Sequence, residues 1–277
     1  MNQKPIVAIM YDFDKTLSPK DMQEYGFIDG LGMNSEEFWE KSRLNMVNHN
    51  MDQILAYMLT ILQEAKGRMP LTRSLFNELG RDVKLFDGLE TWFDRINLHG
   101  EKLGLEIEHY IISSGLKEII EGTEITHKFK EIYAAEYCYN EKDIPIWPAM
   151  AVNYTSKTQF LFRINKGVLD VTEHNGLNES TPDNKKRIPF RNMIYVGDGL
   201  TDVPCMKLVK LNGGYSIAVY SEDRSIADSL ISQDRADFVV KADYRENSDM
   251  EKTVCTILNQ IDAVNKVFEL HTKHTEI

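Results

Sequence analysis

Two hydrophobic periods alternate along the chain. Ile6-Val7-Ala8-Ile9-Met10-Tyr11 is apolar throughout, as in a strand buried on both faces of a sheet. Ile107 to Ile112, Met193 to Val196, Tyr215 to Tyr220 and Phe238 to Val240 read as further short strands. Ala134 to Asn140 and Ile144 to Asn153 are rich in β formers and separated by a polar turn, which reads as a pair of strands or a hairpin. Glu90 to Leu103, Lys157 to Lys166 and Asp249 to His271 instead carry helical spacing, and Gly167 is placed to stop the second of these helices. Strands alternating with helices predict an α/β chain built on a mainly parallel sheet flanked by helices.

One block breaks that alternation. Ser18 to about Val83 reads as almost wholly helical. Ser35-Glu36-Glu37-Phe38-Trp39 resembles a cap followed by an amphipathic helix, and Pro70 is placed to open a helix ending near Gly80. Gln53 to Ala65 is apolar nearly all round, as in a helix buried in a small bundle. Val168 to Phe190, which includes Asn184-Lys185-Lys186-Arg187, is polar and irregular. It is a solvated loop or an insertion facing a partner or substrate.

Candidate chemistry gathers where predicted strands end. Asp12-Phe13-Asp14-Lys15-Thr16 follows the first strand directly. Carboxylates at i and i+2 of an extended segment point to the same side, and their repulsion calls for a cation such as Mg²⁺ or a shared proton. Tyr110-Ile111-Ile112 runs into Ser113-Ser114-Gly115 and then the helical pattern Leu116 to Glu121, a hydroxyl and free N–H groups at a helix N-terminus that suit an anion. Lys157 opens a helix, and Gly197-Asp198-Gly199-Leu200-Thr201-Asp202 puts two carboxylates four residues apart at a strand-to-helix junction. Each has a plain structural alternative: an Asp-rich turn, a helix-capping serine, a solvated lysine, a tight glycine turn.

The order DxDxT, hydroxyl after a strand, Lys, GDxxxD resembles that of the haloacid-dehalogenase-like superfamily of phosphotransferases and hydrolases, in particular its phosphoserine-phosphatase-like branch. The resemblance runs from Asp12 to Asp202. It implies a Rossmann-like core of residues 1–17 and 84–277, with residues 18–83 as a helical cap domain between the first and second motifs. It implies a Mg²⁺-dependent phosphomonoesterase acting on a small soluble phosphorylated metabolite. Asp12 is then the nucleophile that becomes an aspartyl-phosphate, and Asp14 the general acid and base. Mg²⁺ would be held by Asp12, the backbone carbonyl of Asp14, and Asp198. Ser113 and the N–H groups near Ser114 would bind phosphate oxygens, and Lys157 would neutralise charge on Asp12 and the phosphoryl group. Thr16 would organise the turn after the strand, and Asp202 would hold a metal-bound water or pair with Lys157. The name-giving dehalogenases lack the second Asp of the first motif, so Asp14 argues for phosphoryl transfer. Where phosphoserine phosphatases carry a Glu that contacts the substrate amine, this chain has the shorter Asp21, expected to reach the substrate from the cap; Arg43, Arg68 and Arg73 are candidates to pair with a substrate carboxylate. Transfer of the phosphoryl group to an acceptor other than water is the alternative within enzymes. A phospho-signalling module and a non-catalytic binder of phosphorylated ligands are alternatives from other classes.

Composition narrows the partners. Against 32 Lys and Arg stand 43 Asp and Glu among 277 residues, a net charge of −11. An acidic surface disfavours nucleic acid and anionic membrane. Cys138, Cys205 and Cys255 form neither a disulfide framework nor a zinc spacing, and no apolar run is long enough to span a bilayer, so the expectation is a cytoplasmic protein.

Overall fold

The computed structural model describes residues 4–182 and 185–275. Its seven strands are β1 (Ile6–Tyr11), β2 (Glu106–Leu116), β3 (Glu131–Tyr139), β4 (Pro145–Met150), β5 (Met193–Gly197), β6 (Tyr215–Tyr220) and β7 (Phe238–Lys241). They form one sheet in the order β4-β3-β2-β1-β5-β6-β7, parallel except for the antiparallel β3–β4 pair. The expected α/β sheet and the expected hairpin are both present. β1 lies in the middle and is buried along its whole length, which is why it lacks polar positions.

Alternate residues of β1 feed two cores. Val7, Ile9 and Tyr11 pack with Trp92, Phe93 and Ile96 of α5 (Leu89–Leu103) and with Val254, Leu258 and Ile261 of α11 (Asp249–Thr275). Ile6, Ala8 and Met10 pack with Phe160 and Ile164 of α7 (Lys157–Lys166), Met206 and Val209 of α9 (Val203–Leu211), and Leu230 of α10 (Ser225–Ser232). The side-chain period of two thus gives each face its own layer of helices. Gly167 ends α7 in the left-handed conformation that its missing Cβ permits.

Between β1 and β2 lie α1 (Phe27–Gly30), α2 (Ser35–His49), α3 (Gln53–Ala65) and α4 (Arg73–Gly80). Two helix starts differ from the sequence reading. Asn34, not Ser35, caps α2 by accepting from the Glu37 N–H, and Thr72, not Pro70, caps α4 by accepting from the Leu75 N–H at 3.0 Å. Proline can only tolerate a helix start, whereas a hydroxyl satisfies one of its orphan N–H groups. The all-round apolar α3 buries Ile54, Tyr57, Met58 and Ile61 in the same core as Phe38 and Phe76, continuous with the Val7 face of the sheet. α4 is pinned to α6 (Lys117–Glu121): the Asn77 side chain donates to the Glu118 carbonyl, and a Cβ on Gly80 would stand 2.1 Å from the Ile119 carbonyl oxygen.

A third difference bears on the site. β2 does not stop at Ile112 but continues through Ser113, Ser114 and Gly115 to Leu116, with a shift of register against β3 between Ile112 and Leu116. The serines therefore lie on an irregular strand end, and α6 begins only at Lys117. Among its described residues, Val168 to Phe190 is largely irregular and includes the short helix α8 (Asn175–Asn178). Asp183 and Asn184 lie outside the described residues. Arg187 from this stretch clamps the buried Glu108 at 2.6 and 2.7 Å, which ties the segment to the sheet.

Candidate active site

β1 is flanked by β2 on one side and β5 on the other, so the strand order reverses at β1. Open α/β sheets leave a crevice beyond the carboxyl ends of their strands at such a point. All four sequence segments converge there. An open cleft of about 740 Å³ is lined by Asp12 and Asp14 after β1, Ser113, Ser114 and Gly115 at the end of β2, Asp198 after β5, and Asp21.

Behind the cleft sits a buried ion cluster. Lys157, the first residue of α7, has no solvent exposure and donates to Asp12 Oδ2 at 2.7 Å and to Asp202 Oδ1 at 2.8 Å. Burial pulls the Lys157 pKa down, but the charges of Asp12 and Asp202 outweigh that and hold it above the usual lysine range. Asp202 Oδ1 also accepts from the Tyr195 hydroxyl at 2.8 Å, and Oδ2 from the Gly199 N–H at 3.2 Å. Both Asp202 oxygens are therefore engaged by protein donors. Gly197 is what makes room: a Cβ there would stand 2.5 Å from the Asp202 carboxyl carbon. The Gly-Asp-Gly sequence is thus a seat for Asp202, beyond its reading as a tight turn.

Asp12 faces the cleft from this cluster. Its Oδ1 accepts from the Phe13 N–H at 2.6 Å, and the residue is 6% exposed. Asp198 is half-buried beside it, with the Thr16 hydroxyl 3.4 Å from its Oδ1. One carboxylate oxygen each from Asp12, Asp198 and Asp202 lies within 4.8 Å of the others. Burial, then the charge of its neighbours, pushes Asp12 up to about 6 despite Lys157, and Asp198 up to about 8. Hard carboxylate oxygens gathered at this cost suit a divalent cation such as Mg²⁺, so the donor set fits one. Asp12 and Asp198 are the members that line the cleft, whereas Asp202 is held in the buried cluster by Lys157, Tyr195 and the Gly199 N–H.

Asp14 stands across from the cluster. Its Oδ1 accepts from the Met22 N–H at 2.7 Å, and burial followed by the charges of Asp21 and Asp12 raises it well above the carboxylate range. The turn that presents it passes through Lys15 at φ 57°, a left-handed conformation that costs a non-glycine residue about 1–2 kcal/mol. The N–H groups of Thr16, Leu17 and Ser18 all point to the Phe13 carbonyl and fix that turn. Lys15 Nζ reaches Asp21 Oδ2 at 2.9 Å.

The serines divide their work. Ser113 is fully buried, and its Oγ accepts from the Gly115 N–H at 3.1 Å, which leaves its own proton to donate. Ser114 spends its hydroxyl proton on the Val152 carbonyl at 2.7 Å. Arg43, Arg68 and Arg73 are not brought to the cleft. Arg43 pairs with Glu40, Arg68 with Glu64 and the Leu31 carbonyl, and Arg73 with Glu121 and Glu136.

Other cleft residues carry no local sequence signal. Tyr57 of α3 donates to the Ser114 carbonyl at 2.8 Å, and Asn153 donates to Asp52 Oδ2 at 2.8 Å, so two bonds tie the helical block to the rim. Gly115 has a function in space alone: a Cβ there would stand 2.0 Å from Met22 Cε and 3.0 Å from Asp14 Oδ2.

Comparison with known proteins agrees with this geometry. An uncharacterised protein of Borreliella burgdorferi is 28% identical over 279 residues, covering 90% of this chain and 95% of its own. A substrate-bound phosphoserine phosphatase structure superposes with a TM-score of 0.56 at 15% identity, covering 88% of this chain and 97% of its own. A family hydrolase of the haloacid dehalogenase type from Salmonella enterica serovar Typhi superposes with a TM-score of 0.55 at 15% identity, covering 87% of this chain and 69% of its own. At such identities the two structures speak for the fold. The model of the haloacid dehalogenase-like hydrolase family matches residues 9–207, more than half of the chain and all four clustered segments, and the chain belongs to that family.

Proposed function

We propose that the protein is a Mg²⁺-dependent phosphomonoesterase that hydrolyses a small phosphorylated metabolite through an aspartyl-phosphate on Asp12. The observation that carries the reading is the buried Lys157 bridging Asp12 and Asp202 behind a cleft that Asp14 and Asp198 also face. Each Asp12 oxygen takes a single protein hydrogen bond, which leaves a lone pair on each for an electrophile and a cation.

In the first step an Asp12 oxygen attacks phosphorus, the bond from phosphorus to the ester oxygen breaks, and Asp14 gives its proton to the departing oxygen. In the second, Asp14 takes a proton from water as the water oxygen attacks phosphorus, and the bond to Asp12 breaks. Burial and the nearby charges of Asp21 and Asp12 raise the Asp14 pKa, the direction that favours the proton-donating form a general acid needs. Ser113 and backbone N–H groups at the bulged end of β2 would hold the phosphoryl oxygens, with Lys157 offsetting negative charge from behind. Asp12, Asp198 and the Asp14 carbonyl would hold Mg²⁺, whose charge, when bound, lowers the repulsion between a carboxylate and a phosphate dianion. Residues 18–83 act as the cap, closing over the leaving group and excluding water.

The test is turnover of an aryl phosphate. Activity should require Mg²⁺ and disappear in excess chelator, and Asp12→Asn should abolish it while circular dichroism stays native. Full activity without a divalent cation, or near wild-type turnover in Asp12→Asn, would overturn the assignment.

A further inference from the structure

The wall of the cleft differs in character from its floor. The helical block contributes Trp39 and Met46 from α2 and Ile54 and Tyr57 from α3; opposite them stand Leu200 and Ile226. Leu200 and Ile226 are 61% and 48% exposed, so two large apolar side chains are left in solvent at the mouth of a cleft that already has apolar sides. Apolar surface gathered in this way marks a place where an apolar partner is expected. The volume of about 740 Å³ falls among clefts that hold small organic ligands, roughly 300–1,000 Å³.

Charge is distributed just as unevenly. Beyond Asp12, Asp14 and Asp198 at the proposed reacting centre, the cleft is lined by Asp21 and Asp52, and among its described lining residues Lys15 is the one lysine or arginine. Lys15 is already paired with Asp21. Asp52 has both oxygens occupied, Oδ1 by the N–H groups of Ile54 and Leu55 and Oδ2 by Asn153, so it adds negative charge rather than a free acceptor. Arg43, Arg68 and Arg73 of the helical block are paired elsewhere. A carboxylate or second phosphate on the leaving group would enter this chamber without a free partner, and like charges set together at an interface are unfavourable.

We infer that the cleft selects phosphate monoesters whose leaving group has an apolar body and no anionic group. The inference rests on the phosphatase reading and names the substrate class of that same site. It sets this chain apart from an enzyme for a carboxylated ester such as phosphoserine, for which a free cation would be needed beyond the phosphate.

The experiment uses matched esters of nearly equal leaving-group chemistry. Wild-type protein with Mg²⁺ should show kcat/KM at least about tenfold higher for para-methylbenzyl phosphate than for para-carboxybenzyl phosphate, and higher for phosphoethanolamine than for phosphoserine. Met46→Arg, which puts a cation on the cleft wall, should shift the benzyl ratio about tenfold toward the carboxylated ester. Equal or reversed preference in the wild type would overturn the inference while leaving the phosphatase reading standing. If no ester is turned over, the phosphatase reading fails instead. Calorimetry with the two non-hydrolysable benzylphosphonates then decides the inference by itself: tighter binding of the methyl compound upholds it, and equal or weaker binding rejects it.

Discussion

Lys157 shows how much a single residue can hold. Its ammonium is fully buried between two carboxylates, so it links Asp12, just after β1, to Asp202 at the start of the helix that follows β5. Removing one partner of a buried ion pair costs about 3–5 kcal/mol because the other charges are left uncompensated. Lys157→Ala should therefore lower thermal stability. In the fraction that folds, it should cut kcat by about 10²–10³, as for loss of one preorganised electrostatic donor. Calorimetry and active-fraction kinetics measure the two effects separately. A stable, fully active Lys157→Ala protein would mean that this cluster neither holds the fold nor serves the chemistry. His109 is a second buried group, on β2 beside β1. Its Nε2 meets Asn97 at 2.9 Å and its Nδ1 the Tyr11 hydroxyl at 3.2 Å, and burial pushes its pKa down to about 3. The unfolded chain takes up this proton near the usual value of about 6.5, so the unfolded state binds more protons between the two values. Stability from His109 is complete above the unfolded pKa and is lost as pH falls through that window. The melting temperature of His109→Gln relative to wild type should rise as pH falls through the upper part of the window, near pH 6, since the contributions of Asp12 and Asp198 are common to both proteins and cancel in the difference. An unchanged profile would show that the ring does not titrate on unfolding.

At the scale of the element, the end of β2 is the most constrained segment. The strand carries Ser113 to the cleft, breaks register with β3, and passes Gly115 against Met22 and Asp14. The Leu116 N–H also points to the Met22 sulfur at 3.2 Å, so the methionine is not free to yield. Gly115→Ala is expected to cost about 1–3 kcal/mol in stability, the usual range for overpacking. It should lower kcat by a larger factor than it raises KM, because the displaced Met22 holds Asp14, the proposed acid and base, through its N–H. Native-like kcat with an unchanged melting temperature would show that Met22 moves aside freely. The Lys15 turn is the counterpart on β1. Three N–H groups converging on the Phe13 carbonyl stabilise a left-handed residue that would otherwise relax, and Asp14 is aimed by that turn rather than by strand geometry alone.

Across the whole molecule, the parallel sheet brings together carboxylates that are mutually unfavourable in the absence of a cation. Asp12 and Asp198 lie raised to about 6 and about 8, and a divalent ion that binds the folded state alone would remove that penalty. Adding Mg²⁺ should raise the melting temperature in a concentration-dependent way even without substrate, and Asp198→Asn should blunt the effect. A melting temperature indifferent to Mg²⁺ would leave the carboxylates without the role proposed for them. The helical block and the sheet share one continuous core through Phe38, Ile61 and Phe76. The helical block is held to the sheet side at two places, α4 against α6, and α3 at the cleft rim through the Tyr57–Ser114 and Asp52–Asn153 bonds.

Local sequence was enough wherever a property is carried by neighbours along the chain. The apolar run Ile6–Tyr11 had to be a doubly buried strand, α3 and α7 begin and end where their patterns do, and the order of the carboxylate, hydroxyl and lysine segments pointed to one crevice. Tertiary structure decided what depends on contacts between distant residues. It buried Lys157, whose sequence surroundings are those of a surface lysine, because Asp12 and Asp202 arrive from other strands. It kept Ser113 on a strand rather than at a helix start, because β3 continues to pair beyond Ile112. It made Gly197 and Gly115 seats for Asp202 and Asp14, and it drew Arg43, Arg68 and Arg73 away from the cleft to nearer carboxylates. Periodicity records which face of an element is buried; it holds no information on which distant side chain will fill the space opposite.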